Sequence, residues 1–188
     1  MKGFVDNPVL AVVLGTGLAL ALLLLASLGA GLSGHQAGVM LVRIAHAGGA
    51  IVWGGFVVFV NLVQLAALKA SSETERPVIV RQIVPRTARV FTIAADVTLL
   101  TGLIMLAPFV AGLSGRPLLL LGVAGGIAMW AIVRFVLKPA IARVTGQVSA
   151  DDGQRAAARS AIALWARVNL VLLLPVTVAM LLAGHGFG

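Results

Sequence analysis

The 188-residue sequence contains no cysteine and little charge: Asp, Glu, Lys and Arg together make up 11% of it. The missing cysteine excludes disulfides, thiolate-held iron–sulfur clusters and c-type haem attached through a C-x-x-C-H motif. A redox centre would have to be held by His or Met, or be a diffusing quinone. The scarcity of charge excludes a soluble globular domain, which carries about 25% charged residues. The formal net charge is +8, but the basic residues stand at the ends of long apolar runs. That distribution orients a protein in a lipid bilayer and does not point to nucleic acid.

What fills the chain is apolar: 60% of residues are hydrophobic. A spanning helix needs about 20 consecutive apolar residues. The runs predict a single all-α transmembrane domain over 1–188, a bundle of five helices at about 8–32, 39–69, 87–110, 117–138 and 150–183. A cleaved signal peptide is the competing reading of the first run. The run is long for that, and its flank, with Lys2 and Asp6, has a thin basic region, so a retained helix is expected. Gly29, Gly31 and Gly34 mark the first turn, and Gly112, Ser114 and Gly115 the third. Ser149 and Asp152 have capping-box spacing before the fifth helix. Lys69, Arg76, Arg81, Arg86 and Arg89 flank one loop; Lys138, Arg143, Arg155 and Arg159 flank another. The positive-inside rule places both in the cytoplasm of a bacterium, with the N-terminus inside and the C-terminus outside the inner membrane.

Polar residues at membrane depth are costly, so each marks a candidate site. On the second helix Arg43, His46, Ala50, Trp53, Val57, Asn61 and Gln64 recur every three or four residues and form one stripe. Lipid cannot satisfy that stripe, so it is expected to face other helices. Depth along each helix sorts the polar groups into two layers. The inner layer holds Asn61, Gln64, Asp96, Arg134, Arg167 and Asn169, and pairs Asp96 with Arg134 or Arg167. Such a pair serves either as a structural tie or in handling a proton or substrate. The outer layer holds Arg43, His46, Arg116 and His185, with His35 in the first external turn. Trp53 and Trp130 read equally well as packing residues.

The run Arg43-Ile-Ala-His46-Ala-Gly-Gly-Ala-Ile-Val-Trp53-Gly-Gly-Phe resembles the His-x6-Trp-x-Gly helix of several membrane redox families. Further pieces follow in order: Phe59-Val-Asn61-Leu-Val-Gln64, Pro85-Arg86-Thr-Ala-Arg-Val-Phe91, Thr98-Leu-Leu-Thr101-Gly102, Gly125-Gly126-Ile-Ala-Met129-Trp, Lys138-Pro139, Ala166-Arg167-Val-Asn169 and Leu174-Pro175-Val-Thr-Val-Ala-Met180. Together they resemble the N-terminal membrane domain of bacterial cytochrome-c-linked urate oxidases, over helices two to five. A looser similarity joins His46 and Trp53 to the copper-resistance membrane proteins and to the haem-binding protoporphyrinogen oxidase of bacteria.

The resemblance implies a membrane oxidoreductase. In that reading haem b or a quinone binds near the outer face, and electrons pass to a separate cytochrome c or membrane complex. The urate oxidases carry a cytochrome c after the membrane domain; no such module follows in this sequence, which weakens urate itself as the expected substrate. His46 would be the axial ligand and His185 the second, with Arg43 beside a propionate and Trp53 lining the site. Asp96, Arg134 and Arg167 would hold the inner half together or bind an anionic purine. The alternatives are non-catalytic. One is copper transport on His35, His46, His185, Met40 and Met180; the other is a scaffold subunit whose polar layers only join helices.

Overall fold

The computed structural model describes residues 7–186, apart from the side chains of 109–111 and 114. Lys2 and Asp6 lie outside the described residues. Every regular element among them is helical, and five helices are long and apolar enough to cross a membrane. They are α1 (Pro8–Gly29), α2 (Gly34–Ala70), α3 (Arg76–Leu106), α4 (Pro117–Val144) and α5 (Asp152–Gly184). The chain is a multi-pass membrane protein.

Two compact units divide it, Met1–Ile44 and Ala45–Gly188, with the boundary inside α2. In the first unit α1 opens on Asn7, whose side chain accepts the Val9 and Leu10 amides. It ends in a Schellman turn, three residues before the expected limit at 32. Gly31 is left-handed at φ 63°, and Leu32 N–H reaches the Ser27 carbonyl at 2.9 Å. Ser33 and Gln36 then form a reciprocal cap that starts α2. This cap puts the start of α2 at Gly34, ahead of the expected 39.

In the second unit, Trp53 and Val57 of α2 pack with Phe91, Ala94 and Ala95 of α3 and Met129, Val133 and Leu137 of α4. Ile162, Trp165, Val168 and Leu172 of α5 close the core. Small residues set the approach of the helices. A Cβ at Gly122 would meet Met180 at 3.0 Å, and one at Gly125 would overlap Val176, so α4 and α5 pack backbone against side chain. Between α2 and α3, a Cβ at Gly49 would lie 2.7 Å from the Thr98 hydroxyl. The outward face of α5 is apolar, with Val171 and Leu174 both over 70% exposed, as a lipid-facing surface requires.

Three local features depart from the expected helices. α3 begins at Arg76 rather than at 87, and its helix is interrupted at Ile83, because Pro85 has no N–H to return to the Arg81 carbonyl. α5 is capped by Asp151 with Gln154, not by Ser149 with Asp152. Gln154 is long enough to reach back to the Asp151 N–H at 3.1 Å, while its own N–H meets the Asp151 carboxylate at 2.7 Å. And α2 and α4 each contain one widened π-helical turn, at Val60–Gln64 and Ile132–Leu137.

Candidate functional site: a cavity between buried amides and exposed cations

The π turn of α2 carries both of its amide side chains. Asn61 donates through Nδ2 to the Val57 carbonyl at 2.9 Å and to the Ala166 carbonyl on α5 at 3.0 Å. Two carbonyl partners fix which end of the side chain is the amine, so Oδ1 is the free end. It is buried and has no partner among the described residues. One turn on, Gln64 is buried with Oε1 unpartnered among the described residues. Across from them on α5, Asn169 is 1% exposed, and neither its oxygen nor its nitrogen has a partner among the described residues. A buried polar group without a hydrogen bond costs about 1–3 kcal/mol. Several on one wall are far from the usual satisfied interior, and π turns recur at functional sites.

All three amides line one cavity of about 420 Å³, within the range of roughly 300–1,000 Å³ typical of small-molecule sites. Its remaining wall is largely apolar, from Val57, Phe91, Leu137 and Ile162 among others. Its lining also includes Lys69, Arg76, Arg159 and Arg167, all exposed. Arg76 is spent on the end of α2, donating to the Leu68 and Ser71 carbonyls at 3.2 Å each. Lys69, Arg159 and Arg167 have no hydrogen-bond or ion-pair partner among the described residues. Among the described residues no Asp or Glu lines the cavity.

The inner polar layer thus separates into two groups. Asn61, Gln64, Arg167 and Asn169 line the cavity; Asp96 and Arg134 do not. Arg134 sits on the π turn of α4 and meets Asp96 at 3.5 Å, so of the two arginines within reach by depth it is the partner. The other carboxylate oxygen of Asp96 accepts the indole N–H of Trp130 at 2.8 Å. Trp130 is therefore a hydrogen-bonding residue as well as a packing one.

Toward the other end of α2, His46 bonds through Nδ1 to the Thr98 carbonyl at 2.9 Å, with the Thr101 hydroxyl at 3.3 Å. Its ring lies against the backbone of Gly102, where a Cβ would come within 2.9 Å of Cε1. Nε2 has no hydrogen-bond partner among the described residues. Trp53 is buried with its indole N–H unpartnered among the described residues. His185 is exposed and turns its Nδ1 back to the Leu181 carbonyl of its own helix end. Arg43 and Ala50 are exposed while His46 is half-buried against α3, so the inward stripe of α2 is interrupted at Arg43 and Ala50. Arg43 belongs to the first unit. Met180 is used in packing against Gly122. Among the described residues no three His, Asp or Glu side chains gather into a metal-ligand cluster.

Of the cavity cations, the sequence singles out Arg167 but not Lys69, Arg76 and Arg159, because those three also satisfy the orientation rule. One signal was there: Arg159, Ile162, Ala163, Ala166, Arg167 and Asn169 recur at helical spacing along one face of α5, and all line the cavity. Comparison with protein families, with characterised proteins and with solved structures finds no match to this chain.

Proposed function

We propose that this protein binds a small molecule in the cavity between α2, α3, α4 and α5, on the cytoplasmic side of a bacterial inner membrane. The basic segments at 69–89 and 138–159 support that orientation, with the N-terminus inside and the C-terminus outside. The observation that carries the reading is the wall of Asn61, Gln64 and Asn169, amides whose buried atoms lack partners among the described residues, on a cavity of ligand size. A bound solute would satisfy them; a purely structural role would leave their desolvation uncompensated. The test is native mass spectrometry of the protein released from nanodiscs. A small molecule should co-purify with the wild type and be lost from the Gln64→Leu/Asn169→Leu double variant. Equal adduct on both would refute the reading.

A second reading, electron transfer through haem b on His46, is favoured by one feature. An imidazole whose Nδ1–H is held by a backbone carbonyl presents Nε2 as a ligand, the arrangement typical of metal-bound histidines. Haem would supply one-electron chemistry there, His46 would hold the iron, and Thr98 would fix the ring. This reading fits the similarity to the urate oxidase membrane domain and calls for a separate electron acceptor. The visible spectrum of the purified protein tests it: a Soret band lost in His46→Ala supports it, and a featureless spectrum from haem-replete cells refutes it.

A further inference from the structure

Arg167 lines the cavity and also belongs to the outward face of α5. We infer that an anionic phospholipid binds at this lip, its phosphate held by Arg167, Arg159 and Lys69 and an acyl chain lying on the exposed face of α5. The leaflet is the one at the basic ends of the helices, the cytoplasmic one in the orientation proposed above. The lipid is a second ligand, separate from any solute on the amide wall.

The position of Arg167 is the first reason. It is exposed and shares one helical face with Val171, Leu174 and Val178, at i+4, i+7 and i+11. All three are more than half exposed, and so is Leu164 on the other side of Arg167 along the chain. Open apolar side chains both before and after it place Arg167 in the lipid-facing surface. It stands about 22 Å along α5 from the exposed Leu182, at about 1.5 Å per residue. That is within a hydrocarbon layer about 30 Å thick. A guanidinium there is costly unless it pairs or reaches toward the headgroups. Arg167 has no hydrogen-bond or ion-pair partner among the described residues, and Asp96 is taken by Arg134 and Trp130.

The second reason is the match in depth of the other two cations. The Asn61 side chain of α2 bonds the Ala166 carbonyl of α5 at 3.0 Å, which fixes the register of these helices. Toward the basic ends, Lys69 lies about 12 Å from Asn61 and Arg159 about 11 Å from Ala166. The two are therefore level with each other. Both are exposed, line the same cavity as Arg167 and have no partner among the described residues. Arg167 thus approaches the opening from the hydrocarbon side, and Lys69 and Arg159 from the headgroup side. Among the described residues no carboxylate lines that opening to offset them.

This combination selects the occupant. A zwitterionic lipid carries its own cation beside the phosphate, whereas an anionic one leaves its charge for the protein. A soluble phosphate matches the three cations but leaves the apolar face of α5 without a partner. An anionic phospholipid matches both.

Native mass spectrometry of the full chain in a non-ionic detergent, titrated with dioleoyl phosphatidylglycerol or dioleoyl phosphatidylcholine, tests the inference. Phosphatidylglycerol should bind at least about tenfold more tightly, since each basic residue at a membrane surface contributes about fivefold. Arg167→Gln, at an exposed position, should weaken phosphatidylglycerol about fivefold and leave phosphatidylcholine unchanged, while Arg167→Lys should keep most of the preference. Arg143→Gln removes an exposed cation of α4 that does not line this cavity, and should leave the preference intact. Excess glycerol phosphate, which has the phosphate without the chains, should not displace the lipid. The Gln64→Leu/Asn169→Leu variant should keep the lipid even where it loses a co-purifying solute.

Equal affinity for the two lipids would overturn the inference. So would an equal loss in Arg143→Gln, which would reduce the preference to general surface charge. Displacement by glycerol phosphate would make the cations a soluble-phosphate site. Loss of phosphatidylglycerol from the Gln64→Leu/Asn169→Leu variant would move the lipid from the lip into the cavity, and would overturn the placement while leaving the cavity reading standing.

Discussion

Asp96 gives the most direct check on how the inner layer is held together. Its two carboxylate oxygens are divided between Arg134 at 3.5 Å and the Trp130 indole at 2.8 Å. The Asp96 and Arg134 side chains are 35% and 39% exposed. Exposed pairs contribute about 0–1 kcal/mol, and losing one partner of a buried pair costs about 3–5 kcal/mol. A pair one-third exposed falls between, so its coupling is expected at about 1–2 kcal/mol. The indole bond to a charged acceptor adds roughly 1.5 kcal/mol. Asp96→Ala removes both and should destabilise by about 3 kcal/mol, whereas Asp96→Asn keeps an acceptor for Trp130 and should cost about half as much. The assay is a double-mutant cycle of Asp96→Asn with Arg134→Gln, read by unfolding in mixed micelles. Trp130→Phe serves as the third arm. A coupling energy indistinguishable from zero, with Asp96→Ala no worse than Trp130→Phe, would refute the division of the carboxylate between two partners.

Other consequences are open to simpler measurements. Gly125→Leu drives a side chain into Val176 and should cost at least about 1–3 kcal/mol, seen as a lowered Tm; an unchanged Tm would mean α4 and α5 are not in close contact. A reporter fused after Gly188 should be active on the periplasmic side, and a cytoplasmic signal would reverse the orientation drawn from the basic loops. In the turn between α2 and α3, the Ser72 backbone N–H and then its hydroxyl hold the Glu75 carboxyl below its ordinary pKa. A depressed carboxylate contributes stability above its unfolded pKa and loses it as pH falls through the folded value. Acidification below about 4.3 should therefore loosen this turn, read as faster proteolysis at Lys69, and Glu75→Gln should remove that pH dependence.

Much of this arrangement was legible in the sequence, because a membrane makes every polar residue conspicuous. The five helices follow from apolar length alone. So do Asn61, Gln64 and Asn169, since amides at that depth have to face protein. What was not legible depends on tertiary contact. Two arginines were within reach of Asp96 by depth, and only packing brings Arg134 to it while Arg167 lines the cavity. The π turns at Val60–Gln64 and Ile132–Leu137 leave no mark in the apolar periodicity. Arg159 and Lys69 read as orientation signals, and that explanation hid their place at the cavity. The stripe on α2 holds at His46 and from Trp53 on, but not at Arg43 and Ala50. Arg43 and Ala50 share its angular position but not its burial, because a helical wheel gives direction and not what packs there.

The absence of cysteine from the chain allows one measurement on the central claim, that the buried amides line a space a solute can enter. Asn169→Cys puts a single thiol at a position 1% exposed on the cavity wall, and Val133→Cys puts one at an equally buried position outside it. Labelling would be followed in inside-out vesicles with a small anionic methanethiosulfonate and with its cationic counterpart. The account predicts that the Asn169→Cys protein reacts, faster with the anionic reagent, while the Val133→Cys protein stays unlabelled. Equal inertness of both thiols, or a cationic reagent that labels Asn169→Cys faster, would contradict it.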